Sequence, residues 1–391
     1  MLVGVVGKTN TGKTTFFSAA TRVDAKIAPF PFTTIEPNIG KAYVRRKCPE
    51  VEFGVKCNPH NSLCENGVRL IPVDVIDVAG LVPDAHLGKG LGLKFLDDLR
   101  AADVLIQVVD VSGTTDAEGK QCDFYDPANE IKFLEEEIAY WIFGIIKRSW
   151  SKIKGSDADA LAGLLSGLKV TKEHVEKTLS KTYISGEKIN WSDDDILNFS
   201  RELRRISKPI LIAANKIDLP NAHNNYLKLK EKFPEKIIIP CSAESELALR
   251  KASETKVIAY VPGDKDFQIL KNDLSEKQIS ALKFVREKII LPYKGTGVQE
   301  LINKAVFEQL RLIVVYPVED ENKFSDHFGK VLPDAILMES GSTNLDLAAK
   351  VHTDLAKNFI CAIDARTKMR LGKEYVLKDG DVLKIVANVR G

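Results

Sequence analysis

Long apolar runs are missing from this chain of 391 residues; none approaches the roughly 20 residues of a membrane-spanning helix. That excludes a helical membrane protein. The first residues enter a core strand at once, which predicts no signal peptide. Cysteine is sparse at six, too few at this length for a disulfide framework, and so predicts a reducing, cytoplasmic setting. An excess of one charge is also missing. Lys and Arg total 56 against 54 Asp and Glu, a net +2, which argues against strong bulk affinity for a polyanion and leaves only a local patch for nucleic acid. What remains is an ordinary globular composition, 44% hydrophobic and 28% charged, long enough for two or three domains.

The most informative segment is Gly7-Lys8-Thr9-Asn10-Thr11-Gly12-Lys13-Thr14, a G-x-x-x-x-G-K-[ST] phosphate loop. It follows the apolar run Leu2–Val6, short enough for a buried strand, and precedes a helix that starts near Thr15. Glycines let the backbone curl until several N–H groups face one hollow, and the next helix adds the positive end of its dipole. Gly7 to Thr15 are the expected phosphate-binding residues. Lys13 is expected at the outer phosphates, and the Thr14 hydroxyl at Mg²⁺.

Further segments follow in order. Ile71–Gly80 is an apolar strand ending in Asp77-Val78-Ala79-Gly80. Asp77 is placed to hold a Mg²⁺ water, and the Gly80 N–H to sense a γ-phosphate. Ile210–Asp218 ends in Asn215-Lys216-Ile217-Asp218. A carboxylate at Asp218 accepts both N1–H and N2–H₂ of guanine, a donor pair that adenine lacks. Ile237–Ala243 ends in Ser242-Ala243, expected to back the guanine O6 with a backbone N–H. Between the loop and Asp77 lies Pro29–Asn38, proline-rich and poor in donors, as expected of a switch that orders with ligand. Thr34 is the expected switch threonine and Mg²⁺ ligand, with Thr33 as the alternative.

Residues 1–125 and 206–308 read as one doubly wound, mainly parallel sheet domain, a P-loop NTPase fold in the α/β class. Residues 126–205 interrupt it as a helical, coiled-coil-like insertion. Asp126-Pro127 supplies a cap and a first-turn proline, and Ile131, Leu134, Ile138, Ile142 and Ile145 form one apolar stripe. A second helix is expected from Ser192-Asp193-Asp194-Asp195 to Arg204, Arg205 and Lys208. Trp141 and Trp150 are expected in a core rather than as base-stacking platforms. Residues 309–391 read as a small sheet crossed by one helix, the β-grasp pattern. Its strand from Leu312 is expected to stop at Pro317, and its helix to run from Leu345 to Asn358. Arg366, Lys368, Arg370 and Lys373 form a local basic run, a candidate RNA footprint or a solvated loop.

Phe32-Thr33-Thr34-Ile35-Glu36-Pro37-Asn38, the continuation Asp77–Val82 and Gly88-Lys89-Gly90-Leu91-Gly92 resemble Obg-family GTPases. The insertion from Asp126-Pro127 and the C-terminal segment resemble the YchF-like branch in its archaeal form, and that segment its TGS domain. The resemblance spans nearly the whole chain. It implies a GTP/GDP switch with Mg²⁺, acting with the ribosome or its RNA. Bacterial and eukaryotic YchF members have lost Asn-Lys-x-Asp and prefer ATP; this sequence keeps Asn215, Lys216 and Asp218, so GTP is expected. Leu81 stands where many GTPases carry a glutamine that orients water, so slow hydrolysis is expected. Two substitutes are visible: Asn10, where some related GTPases bind K⁺, and His86 in the second switch. The alternative function is an ATPase or phosphotransferase with the C-terminal domain as accessory, although no second acceptor-site motif is present. No membrane partner is expected, and a monomer is favoured.

Cys48, Cys57, His60 and Cys64 fall close together. Soft ligands at short spacing can hold zinc, but no Cys-x-x-Cys pair is present. Free thiols in a loop or small hairpin are the expectation.

Overall fold

The computed structural model describes residues 1–21, 38–78, 80, 98–150, 158–182 and 191–388. The expectations for Thr33, Thr34, Leu81, His86 and Gly88–Gly92 fall outside these residues.

The chain divides into two compact units, Met1–Ala42 with Asp74–Ala305, and Tyr43–Val73 with Val306–Gly391. In the first, β1 (Leu2–Val6) is paired in parallel on both sides, with β4 (Val68–Asp77) and with β5 (Val104–Asp110). The parallel run continues through β6 (Ile210–Asn215) to β7 (Ile238–Pro240), and β2 (Asn38–Lys47) flanks β4. β5 is buried along its whole length, as its mainly apolar sequence demands of a strand covered on both faces; its one internal polar residue, Gln107, donates to the Glu130 carbonyl at 2.7 Å. The order β4-β1-β5 makes β1 the point from which successive strands are laid in opposite directions, where open α/β sheets bind ligands beyond the strand ends.

The insertion is helical. The helix Pro127–Ser149 starts where the sequence predicts, with the Asp126 carboxylate accepting from the Ala128 N–H at 2.9 Å. The helix Asp193–Ser207 opens on a reciprocal capping box between Ser192 and Asp195. Shorter helices at Ala158–Leu164 and Lys172–Thr182 lie between them in sequence. These helices do not stand apart as a bare seam. Leu134, Ile138, Trp141, Ile142, Phe199 and Leu203 share one core with Val6, Ile76 and Leu105 of the sheet. Trp141 is buried and Trp150 half-buried against the same core, with its ring centroid 5.1 Å from that of Trp191. A two-stranded ribbon, β8 (Ile258–Ala259) with β9 (Gln268–Ile269), and the helices Ala243–Glu254, Glu276–Phe284 and Val298–Lys304 complete the unit. Gly297, in the left-handed conformation at φ 84°, opens the last of these helices.

The second unit is a five-stranded sheet in the order β11-β10-β14-β12-β13. These strands are β10 (Leu312–Val318), β11 (Ile336–Glu339), β12 (Phe359–Asp364), β13 (Arg370–Leu371) and β14 (Val382–Ala387). Two expectations are corrected here. Pro317 does not end its strand. Pairing with β11 finishes at Val315, so beyond it β10 needs ladder bonds only toward β14 and can carry a proline. The single helix is broken in two, Asn344–Val351 and Thr353–Lys357, because His352 is extended (φ −160°) and its ring caps the second piece by accepting from the Asp354 N–H.

The division also places Tyr43–Val73 with the C-terminal residues, whereas the sequence assigned that stretch to the first domain. Long-range polar contacts explain the grouping. Arg69 is fully buried and donates to Ser62 Oγ (3.0 Å) and the Leu332 carbonyl (2.7 Å). Asn61 exchanges two hydrogen bonds with the Ala335 backbone. Phe53 stacks on Phe324 at 4.0 Å.

Candidate nucleotide site

The loop between β1 and the helix Lys13–Thr21 owes its shape to three backbone positions. Gly7 has φ +149° and a side chain there would sit 2.5 Å from the Val108 carbonyl. Gly12 has φ +92° and a Cβ would fall 2.5 Å from Asn215 Nδ2. Asn10 takes the left-handed conformation at φ 62° and is held there as its Nδ2 donates to the Gly119 carbonyl at 2.7 Å. Such tight curvature directs backbone N–H groups inward.

Lys13 Nζ donates to the carbonyl of Lys8 across the loop at 2.8 Å. Burial lowers its pKa, while the charges of Asp77 and Glu130 raise it. Thr14 Oγ1, in the first turn of the helix Lys13–Thr21, donates to Asp77 Oδ2 at the end of β4 at 3.1 Å, so the two expected Mg²⁺ residues meet. Burial pushes the Asp77 carboxyl up against the pull of Lys13 and Thr14. The other oxygen, Asp77 Oδ1, is buried with no hydrogen-bond partner among the described residues, and the same is true of Thr9 Oγ1. A buried carboxylate oxygen left over beside a threonine hydroxyl fits a hard, oxygen-seeking divalent cation. A Cβ on Gly80 would lie 3.0 Å from Thr9 Oγ1 and 3.4 Å from Lys13 Nζ, so the Asp-x-x-Gly glycine is beside the loop.

Lys8 departs from its expected place. Its ammonium is turned away from the hollow and buried against Glu130 at 2.8 Å, with a further bond to the Asp116 carbonyl at 2.7 Å and one to the Thr115 carbonyl. Its side chain therefore anchors the loop to the insertion helix. Burial pushes the Glu130 carboxyl up to about 8, against the opposing pull of Lys8.

On the other side, Asn215 ends β6 and is bonded at both ends of its amide. Nδ2 donates to the Thr11 carbonyl of the phosphate loop at 2.8 Å, and Oδ1 accepts from the Ala243 N–H at 3.1 Å. Asn215 thus ties the loop, β6 and the segment after β7 together. That Ala243 N–H, expected at guanine O6, is directed at Asn215. Ser242 caps the helix that Ala243 begins, its Oγ accepting from the Ser245 N–H. Lys216 takes a positive φ of 62° and its ammonium meets Asp110 Oδ2 at 2.7 Å. Asp218 is half-buried, and no hydrogen bond to its carboxylate occurs among the described residues.

Sequence reasoning missed Asp110, Thr115 and Glu130. Asp110 is fully buried at the end of β5, where it also binds the Ser112 N–H (3.1 Å) and Thr115 Oγ1 (2.8 Å). A carboxylate ending an apolar parallel strand was a signal available in the sequence. The basic run is less open than expected. Arg366 is engaged by Glu52 at 2.7 and 2.9 Å, and Lys368 donates to the Glu321 carbonyl at 2.5 Å. Arg370 is exposed. Among the described residues, no helix is long and apolar enough to cross a membrane.

Residues 2–142 match a family described as 50S ribosome-binding GTPase, residues 213–320 one described as Obg-like GTPase YGR210-like, G4 motif-containing domain, and residues 329–387 the TGS domain. A GTP-binding protein of Methanocaldococcus jannaschii is 49% identical over 393 residues, 99% of each chain. The crystal structure of a GTP-binding protein from Pyrococcus horikoshii OT3 superposes with a TM-score of 0.79 at 42% identity, covering 99% of this chain and all of that one. The Schizosaccharomyces pombe YchF GTPase shares the fold, with a TM-score of 0.57 at 21% identity over 99% of this chain and 97% of that one. The loop geometry, the site and these likenesses agree: the chain belongs to the Obg-like P-loop GTPases and carries a C-terminal TGS domain.

Proposed function

We propose that this protein is a guanine-specific switch that hydrolyses GTP slowly and delivers its state to the ribosome or its RNA. The observation that carries the guanine part is the Asn215 amide, bonded at once to the Thr11 carbonyl of the phosphate loop and to the Ala243 N–H of the Ser242-Ala243 turn. That bridge holds the base-reading turn at a fixed place relative to the phosphates. It leaves the half-buried Asp218 carboxylate as the group without a protein partner among the described residues, and so available to the N1–H and N2–H₂ of guanine.

In this reading the N–H groups of Gly7 to Thr15 hold the phosphates. Lys13 leaves the Lys8 carbonyl and pairs with the outer phosphate oxygens, where charge develops in the transition state. Thr14 and Asp77, with Thr34 from the first switch, would hold Mg²⁺, which when bound screens the phosphate charge. Gly80 senses the γ-phosphate through its N–H. Asn10 is the proposed side-chain ligand for K⁺, and His86 the residue nearest in sequence to the role that Leu81 cannot fill.

The ribosomal part rests on the description of the family matched by residues 2–142 and on the TGS domain. GTP can shift binding to that partner only if the partner distinguishes the two switch states.

Titration of the purified chain with labelled GTP and ATP tests the guanine assignment. GTP is expected to bind at least ~100-fold tighter, since an adenine leaves the half-buried carboxylate unmatched at a cost of roughly 3 kcal/mol. Asp218→Asn should reverse the preference toward xanthine nucleotides, whose exocyclic oxygen accepts from the new amide. Equal or tighter ATP binding by the native chain refutes the assignment and favours an ATP-consuming enzyme. Co-sedimentation with ribosomes in GDP and in a non-hydrolysable GTP analogue tests the output; indifference to nucleotide removes the switch.

A further inference from the structure

The second unit carries a cluster of chemistry that the nucleotide site does not use. Cys48 lies just beyond β2, and Glu50 opens the four-residue helix Glu50–Phe53. Cys57 follows that helix, and Cys64 sits in β3 (Leu63–Glu65), a hairpin arm paired with β4. One ligand atom from each of the four lies within 4.8 Å of every other. Cys48 Sγ and Cys57 Sγ are 3.8 Å apart, and Cys64 Sγ is 3.2 Å from Glu50 Oε1. His60 is not among them; it is exposed, with Nδ1 3.9 Å from Asp334.

We propose that Cys48, Cys57, Cys64 and Glu50 form a structural site for a thiophilic divalent cation, zinc in the first place. A tetrahedral zinc with Zn–S bonds of about 2.3 Å sets its sulfurs about 3.8 Å apart, the separation Cys48 and Cys57 already have. Four ligands and no vacancy make a closed, structural site rather than a catalytic one. The carboxylate is oriented from outside, since the Cys57 N–H donates to Glu50 Oε2 at 2.8 Å and leaves Oε1 turned toward the thiols. Such support of a ligand is usual around bound metals.

Charge supplies a second, independent argument. Arg69 is the Cα partner of Cys64 across the hairpin and is fully buried. Its hydrogen bonds go to neutral groups, Ser62 Oγ and the Leu332 carbonyl, and its Nε has no partner among the described residues. It forms no ion pair among those residues. The Tyr316 ring, its centroid 5.4 Å from the guanidinium carbon, and the charge of Glu50 act on it, but a buried guanidinium without an ion-paired anion is still costly. Three thiolates and a carboxylate around a divalent cation carry a net charge of −2, which would offset it. Binding displaces three thiol protons to solvent, so zinc affinity should fall as pH falls.

The segment also needs such a tie. None of the residues of the Glu50–Phe53 helix is buried, so this part of the chain has little apolar core of its own. A metal that joins Cys48, Cys57 and Cys64 would close it.

The test uses the full chain, produced with zinc present and purified under reducing conditions without chelator. Elemental analysis should find about one zinc per chain. Replacement by Co²⁺ should give intense visible d–d bands of a tetrahedral site and a thiolate-to-metal charge-transfer band in the near ultraviolet. Cys64→Ser should weaken zinc binding by more than the ~10–100-fold that changes outside the ligand set cost. Cys361→Ser, outside the cluster, should leave it unchanged. Should Cys64→Ser not fold, the cobalt spectrum of the native chain decides. Absent or substoichiometric zinc with no thiolate band in Co²⁺ overturns the proposal, as does a metal-free native chain with a Cys48–Cys57 disulfide. Equal loss in Cys361→Ser overturns it too.

Discussion

The two halves of the nucleotide site are finished to different degrees. On the base side the Asn215 amide is bonded at both ends, Lys216 meets Asp110, and Asp110 meets three further donors. That network is closed without any ligand. On the phosphate side Lys13 rests on a carbonyl of its own loop, and Asp77 Oδ1 and Thr9 Oγ1 have no partner among the described residues. Among the described residues nothing satisfies Asp77 Oδ1 or Thr9 Oγ1, and Lys13 can exchange its carbonyl for a phosphate. A rigid reader beside an unfinished charge cluster is a sensible division. Recognition of the base needs fixed geometry, and response to a γ-phosphate needs groups that change partners.

The comparison breaks most visibly at Asn215, a side chain that belongs to both halves. Asn215→Ala leaves the Thr11 carbonyl and the Ala243 N–H buried and unmatched. The expected loss is ~2–4 kcal/mol in stability, with a parallel loss of GTP affinity of tens- to several hundred-fold. Chemical denaturation and nucleotide titration of the same variant measure both. A variant that loses affinity at unchanged stability would mean that Asn215 touches nucleotide only and does not join the halves.

How much of this was legible depended on distance along the chain. The phosphate loop, Asp77 and Asn215–Asp218 were readable because each motif is contiguous and ends an apolar strand. The caps at Asp126 and Ser192 were readable for the same reason: cap and helix are neighbours in sequence. The anchoring role of the Lys8 side chain was hidden because its partner Glu130 is more than a hundred residues away, and nothing local says that a loop lysine will turn inward. The grouping of Tyr43–Val73 with the C-terminal unit was hidden likewise, since Arg69 finds Leu332 and Glu52 finds Arg366 across more than 250 residues. The thiols were half legible. Their closeness in sequence was plain, but that Glu50 rather than His60 completes the cluster depends on a helix of four residues.

Glu130 sharpens the contrast through pH. Its carboxyl titrates near pH 8 in the fold instead of its usual 4.5, because burial outweighs the pull of Lys8. Between those values the folded chain keeps a proton that the unfolded chain has released. Stability contributed at this position is therefore present below pH 4.5 and is lost as pH rises toward 8. Glu130→Gln should flatten that part of the stability profile, measured by denaturant unfolding at a series of pH values. The same variant should leave the GTP-to-ATP preference largely unchanged, because the strong partner of Glu130 is Lys8 of the phosphate loop and its bond from the Asp110 N–H, at 3.4 Å, is long. A profile with the same slope in Glu130→Gln would assign the pH dependence to other groups.

The smallest expected effect lies at Asn10, and it asks what completes the phosphate side. The Nδ2 of Asn10 is already committed to the Gly119 carbonyl, which fixes the residue in its left-handed conformation. Its Oδ1 accepts no hydrogen bond among the described residues, so one amide can both brace the loop and offer an oxygen to a monovalent cation. Bracing and cation binding give different results. If K⁺ sits at that oxygen, hydrolysis of GTP in K⁺ should exceed that in Na⁺ at equal ionic strength by a few-fold, the kinetic equivalent of about 1 kcal/mol. Asn10→Ala should then lower the rate in K⁺ to the Na⁺ level. If Asn10 only braces the loop, Asn10→Ala should cost about 1 kcal/mol of stability for the lost hydrogen bond and leave the K⁺-to-Na⁺ ratio unchanged. A native rate indifferent to the cation removes K⁺ altogether. The charge that develops at the γ-phosphate would then fall to Lys13, the loop N–H groups and the divalent ion alone, in keeping with slow turnover.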